Sequence, residues 1–210
     1  VGLRRFIASL MIVATLVASC GTVHVRKPVN VGLHNPTLRT MHLHADVGFK
    51  PDERKWIAIA ADNVLQQSAG TLDVHVTYDL DFDSTLSVVS HSGDDLLVRA
   101  PQDAPYVVYE DSTTSRLLGV VAGVDLANYS MVGQKRIYLV ADRLWTPEVF
   151  EHVAMHEMLH AFGLVHVDDP DAVMFYQVRG PRPSLCLSKA DAEELCRVNW
   201  CQPETLNWCE

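Results

Sequence analysis

From Thr40 to Asp46 polar and apolar positions alternate, with Met41, Leu43 and Ala45 set against Thr40, His42 and His44. That period of two predicts a first strand with one buried face. The pattern then changes to a helical one over Pro51 to Ala69, where Trp56, Ile57, Ile59, Ala60, Val64 and Leu65 supply an apolar face. Leu72 to Tyr78 returns to alternation, with Leu72, Val74 and Val76 opposite Asp73, His75 and Thr77. Residues 80 to 115 are the least regular; strands near Leu96 to Arg99 and near Tyr106 to Tyr109 compete for one place in a sheet. Apolar runs resume at Leu117 to Gly123 and at Lys135 to Ala141. They are followed by Leu144-Trp145-Thr146-Pro147, where Thr146 suits an N-cap, Pro147 a first helical turn and Glu148 the helix dipole. Ser188-Lys189-Ala190-Asp191 has the form of a capping box and predicts a last helix running toward Val198.

Within the helix opened by Thr146, the stretch from His156 to His166 reads HEMLHAFGLVH and fits HExxHxxGxxH at every fixed position. His156 and His160, four apart, lie on one helix face about 6 Å apart along the axis at ~1.5 Å per residue, so both imidazoles reach one ion. Gly163 stands where the helix must stop and the chain must turn in a conformation that glycine enters cheaply, which brings His166 back as a third ligand. Zinc that does chemistry takes three protein ligands and keeps one position open. Glu157 projects beside that position, where it suits a general base acting on a metal-activated water and a donor to the leaving amine. The chain's own composition of 10 His and 11 Gly in 210 residues gives a chance match of ~5 × 10⁻⁵, so coincidence is no competitor. His152 extends the row to i, i+4, i+8, but the ends of that row stand about 12 Å apart, too far for one zinc. It reads as a packed or hydrogen-bonded helix residue.

These residues resemble the metzincin metalloendopeptidases, closest in layout to the matrixin group and its bacterial relatives. Met174, eight residues after His166 in Ala172-Val173-Met174-Phe175-Tyr176, matches the Met-turn that the family places beneath its metal. The resemblance implies an α+β, zincin-type domain with a twisted, mixed sheet, an active-site helix, the Met-turn and a C-terminal helix. It implies one catalytic Zn2+ held by His156, His160 and His166, with Glu157 as the catalytic base and a polypeptide as substrate. Tyr176 matches a tyrosine that astacin-like and serralysin-like members use near the metal; matrixins usually have proline there, so an oxyanion or zinc contact and a plain wall residue both stand open. Val167 fits none of the familiar subfamily marks. The run around Gly119, Val120, Val121 and Ala122 is similar to the family's edge strand, which takes up extended peptide by β-addition; a buried strand is the alternative. The segment from Gln177 to Pro183 corresponds to the wall of the pocket for the residue after the cleaved bond. Arg179 or Arg182 there favours an acidic residue, or simply points into water. A non-catalytic surface lipoprotein with a zinc site is the rival from another class, and Glu157 argues against it, because a purely structural site has no use for a base.

The N-terminal end predicts an address. Arg4 and Arg5 precede an apolar run from Phe6 to Ala18, long enough for a signal-peptide core and short for a membrane span. Val17-Ala18-Ser19-Cys20 resembles a bacterial lipobox, which makes residues 1–19 a signal peptide and Cys20 the lipidated residue. Val1 in place of Met suggests an alternative start codon, which again points to bacteria. Residues 20–38 read as a tether, leaving 39–210 as the catalytic domain with a Cys-rich tail. The expected location is the bacterial cell envelope, periplasmic or surface-facing, with secretion as the alternative. With Cys20 taken by lipid, Cys186, Cys196, Cys201 and Cys209 remain, enough for two disulfides in three connectivities that spacing does not rank. No CxxC pair supports a second zinc site.

Charge narrows the partners. Without its two leader arginines the chain carries 15 basic against 26 acidic residues, a net of −11, which disfavours nucleic acid. His75 with Asp79, Asp81 and Asp83 offers oxygen and nitrogen donors for a structural cation such as Ca2+, but a solvated strand end explains them as well. Length suits one domain, and a monomer is the default expectation.

Overall fold

A computed structural model describes residues 40–82, 94–100, 119–125, 130–144, 146–180 and 182–209. The expected signal peptide, Cys20, the tether, the strand at Tyr106 to Tyr109, Asp83 and Trp145 lie outside them. Five strands form one sheet: β1 Thr40–Asp46, β2 Asp73–Leu80, β3 Asp95–Arg99, β4 Gly119–Asp125 and β5 Ser130–Leu139, in the order β2-β1-β3-β5-β4. The first four in that order pair in parallel; β4 pairs antiparallel to β5 and closes one end. The sheet is therefore mixed, as expected, and β4 occupies the edge.

Two helices pack on one another and on the sheet: α1 Pro51–Gln67 and α2 Pro147–Ala161. Alternation in the strands decides the faces. Met41, Leu43 and Ala45 of β1, Leu97 of β3 and Ile137 and Leu139 of β5 point into the core shared with the helices. Leu96, Val98, Tyr138 and Val140 form a second cluster with Leu80. Both clusters follow from the period of two in strands buried on two faces. α1 is amphipathic and ends earlier than its composition suggests, because Ala69 (φ 51°) and Gly70 (φ 76°) turn the chain into the left-handed region. α2 is different: every residue from Val149 to Ala161 is buried, polar ones included. A helix buried on all sides needs an apolar majority and partners for each polar group. Thr146 caps it as predicted, its Oγ1 accepting from the Val149 N–H at 3.2 Å.

Beyond α2 the chain runs without long regular elements to α3, Lys189–Asn199, which opens on the predicted capping box of Ser188 and Asp191. Two disulfides, Cys186–Cys209 and Cys196–Cys201, select one of the three connectivities left open by spacing. The first ties the C-terminal tail to the segment entering α3. The Cys209 N–H to Leu187 carbonyl bond at 2.9 Å reinforces it, and the Gln67 side chain of α1 bonds both the Leu185 carbonyl and the Leu187 N–H.

The start of α1 is fixed by a buried ion network. Glu53, 5 % exposed, accepts the Lys50 N–H at 2.8 Å and two bonds from Arg99 at 2.9 and 3.0 Å, while Arg99 also reaches Asp142 at 2.6 Å. Burial alone pushes the Glu53 carboxyl up, but the bonds from Arg99 and Lys50 and the Arg99 charge outweigh it and hold the pKa below its ordinary 4.5. An acid with a depressed folded pKa contributes stability that is present above its unfolded value and lost as pH falls through the folded one. Stability measured by urea titration is therefore expected to decline as pH drops below 4.5, and Glu53→Gln to flatten that decline. Arg99→Ala, which strands a buried carboxylate, is expected to cost about 3 kcal/mol at neutral pH.

Candidate metal centre

His156 and His160 project from α2, both buried, and His166 lies on the loop that follows. Among the described residues these three form the one group of metal-type donors able to meet at a single point. The loop begins with a Schellman turn: Gly163, at φ 98°, donates its N–H to the His160 carbonyl at 2.8 Å, and the Leu164 N–H reaches the Leu159 carbonyl at 3.1 Å. A Cβ on Gly163 would also come within 3.2 Å of Val198 of α3, so glycine serves both the turn and the close packing.

Each helical imidazole is oriented by a backbone carbonyl. His156 Nδ1 donates to the Val173 carbonyl and His160 Nδ1 to the Leu164 carbonyl, both at 2.7 Å. A carbonyl has no proton to give, so the hydrogen sits on Nδ1 and each neutral ring keeps a lone pair on Nε2. Those lone pairs point to one place: His166 Nε2 stands 3.3 Å from His156 Nε2 and 3.1 Å from His160 Nε2. Burial, the largest influence on all three, drives His156 well below its ordinary value, His160 to about 4 and His166 to about 3. At neutral pH the rings are uncharged ligands. Nitrogens bound at ~2.0–2.1 Å to a tetrahedral zinc stand about 3.3 Å apart, and the two separations from His166 Nε2 match that spacing.

The Met-turn lies under this group and is tied to it twice. Val173 carries the carbonyl that orients His156, and the Met174 carbonyl accepts the Val167 N–H at 3.0 Å, one residue past His166. Met174 itself is fully buried. Asp191 of α3 holds the turn from below, its carboxylate accepting from Val173 N at 2.7 Å, Met174 N at 2.9 Å and Ser188 N at 2.9 Å. Burial raises the Asp191 carboxyl above its ordinary value even against these donors. The pattern of the sequence marks Asp191 as a helix cap and gives no sign of this second role, which depends on contacts 17 and 18 residues away.

Glu157 is fully buried and shares a small recess with His152, Val153, His156, Phe175, Tyr176 and Val178. Tyr176 is thus beside the catalytic candidates. His152 is buried, and its Nδ1 donates to the Ser184 carbonyl at 2.6 Å, the hydrogen-bonded helix residue that spacing implied. It also borders a cavity of about 490 Å³ whose wall includes Gln177, Arg179, Ser184, Lys189 and Trp208. Arg179 has its guanidinium 5.0 Å from the centre of the Phe175 ring. β4, with Gly119, Val120, Val121 and Ala122, runs beside α2. His75 lies 3.0 Å from Asp73 and His44 2.9 Å from Asp79, so these surface groups are engaged with one another along the strands.

Comparison with known proteins agrees with this geometry. A search among curated proteins finds no match. Among solved structures, archaemetzincin from Methanopyrus kandleri is similar at 16 % identity and a TM-score of 0.41, covering 85 % of this chain and 92 % of that one. The sequence profile of the matrixins matches residues 40–198. That span takes in every strand described above, α1, α2 and all but the last residue of α3, together with the three histidines and the Met-turn, and the chain belongs to the matrixin family of zinc metallopeptidases.

Proposed function

We propose that this zinc metalloprotease is an exported endopeptidase that cleaves extended polypeptides, with Glu157 as its general base. The observation that carries the reading is the convergence of three neutral imidazoles beside a buried carboxylate on the same helix. A purely structural site closes its fourth position with another protein ligand. Here the described donors number three, and the neighbouring acid suits proton transfer.

His156, His160 and His166 would hold the ion through Nε2. Bound zinc supplies Lewis-acid charge that lowers the pKa of water and polarises a carbonyl. Glu157 takes the proton from the attacking water on a carboxylate oxygen and passes it to the amide nitrogen, which leaves as an amine. Tyr176 lines the same recess, and its hydroxyl would suit a donor to the carbonyl oxygen as that oxygen gains negative charge. The main chain of β4, the edge strand among the described residues, would offer its outer side to a peptide, aligned beside α2. The cavity past His152 suits a side chain of the departing half of the substrate. Two disulfides support folding in an oxidising compartment, in keeping with a signal peptide and a lipid on Cys20.

Cleavage of a diverse peptide library by the purified protein tests the reading, with metal content measured in parallel. The parent is expected to contain one zinc and to cleave. Glu157→Gln is expected to keep the zinc and to lose about 10³-fold in kcat/KM; equal cleavage by both would remove Glu157 from the chemistry. Zinc in both with cleavage by neither would favour a binding protein. Stripping the metal with a chelator is expected to abolish cleavage and lower the thermal midpoint, the second because the ion binds only the folded chain. Re-addition of zinc should restore both, followed by calorimetry and peptide assay.

A further inference from the structure

The third histidine differs from the other two in what holds it. His156 and His160 belong to a helix buried on every side, whereas His166 sits in a segment with no helix or strand ladder to fix it. Its position depends on the backbone N–H groups on either side. Val167 N donates to the Met174 carbonyl, and Val165 N donates to a side chain, Glu194 Oε1, at 3.1 Å. Glu194 is only 9 % exposed and is itself oriented by Arg197, whose Nε and Nη2 each lie 2.6 Å from its two oxygens. A part-buried loop N–H is held in place by the acceptor it finds, and here that acceptor is a side-chain oxygen.

The spacing on α3 adds a second observation. Asp191, Glu194 and Val198 stand at i, i+3 and i+7, on one helix face. Asp191 grips the Met-turn, Glu194 grips the loop before His166, and Val198 lies against Gly163 where that loop leaves α2. One stripe of α3 thus touches three points of the metal centre without contributing a ligand.

We infer that Glu194 is a positioning residue that keeps His166 in place for the metal, acting through the Val165 N–H. The inference rests on the zinc reading of the three-histidine site. It requires an acceptor at the distance of a Glu side chain, and it does not require the negative charge. Glu194→Gln keeps an oxygen within reach of Val165 N, Glu194→Asp keeps the charge but withdraws it by one methylene, and Glu194→Ala removes both. Ile57→Ala, a core truncation in α1, a helix that carries no metal ligand, serves as a control for lost stability.

The test uses the full purified chain loaded with zinc, and separately with cobalt(II), whose visible absorption reports the number and arrangement of its ligands. Metal release to a competing chelator is measured for each variant. Glu194→Ala and Glu194→Asp are expected to release zinc about 10- to 100-fold faster than the parent and to change the cobalt spectrum. Glu194→Gln should retain the parent's spectrum and nearly its release rate, and Ile57→Ala should lower the thermal midpoint while leaving both unchanged. Should Glu194→Ala fail to fold, the contrast between Gln and Asp decides alone. Parent-like release from Glu194→Asp and Glu194→Ala, equal loosening in Glu194→Gln, or equal loosening in Ile57→Ala would each overturn the inference. A parent that binds neither metal would overturn the proposed function itself, whereas a parent that binds zinc and cleaves peptide alongside a tight Glu194→Ala would overturn only the role of Glu194.

Discussion

Three imidazoles converge on one place, His166 Nε2 standing 3.1 Å from His160 Nε2 and 3.3 Å from His156 Nε2, and their lone pairs repel unless a proton or a cation lies between them. A neutral His166 with its hydrogen on Nε2 satisfies one neighbour at a time, and burial makes charged imidazoles costly, so a cation is the partner that satisfies all three. Much of the rest of the chain can be understood as keeping this arrangement intact. The Schellman turn at Gly163 and the Met-turn at Val173 are satisfied in their own backbone bonding and, in the same stroke, each lends a carbonyl to fix one ring. Removing either carbonyl from its place would free a ring to rotate, and the pull on a metal would fall before any ligand was lost.

The chain between α2 and α3 has no long regular element, yet its stretch from Ala172 to Phe175 is buried. Such backbone survives only when its N–H and C=O groups have partners. Here two carboxylates on α3 do that work, with Asp191 and Glu194 accepting from four backbone donors between them. The disulfides bracket the same helix, one just before its start and one at its end. α3 is short and strongly two-faced, and its value to the fold lies in these side-chain acceptors as much as in apolar packing.

What the sequence reveals depends on how local each determinant is. β1 is recovered residue for residue because its alternation is clean, and the N-caps Thr146 and Ser188 are legible because capping is decided within three residues. β5 begins at Ser130, five residues before the apolar run that announces it, its early part pairing Ser130 with Asp125 and Met131 with Val124 of β4. β2 likewise extends two residues past its alternating stretch, carrying Asp79 into line with His44. The metal ligands and Glu157 are legible as a motif because helix geometry makes their spacing meaningful. Asp191 and Glu194 are not, because an acid on an amphipathic helix carries no local sign of which distant N–H it will meet. Disulfide pairing is illegible for the same reason.

The complete burial of α2 has a consequence for exchange in solution. A helix enclosed on all sides opens only when the domain opens, so its amides report the global free energy of unfolding. The loop bearing His166 is held by a handful of hydrogen bonds, and segments held in that way open at lower cost than a buried helix. Two ligands therefore sit in the slowest-opening part of the protein and the third in a faster one. An ion can come and go through a local fluctuation that leaves the fold closed, and its residence time is set by the stability of that one loop, with the whole domain as a bystander.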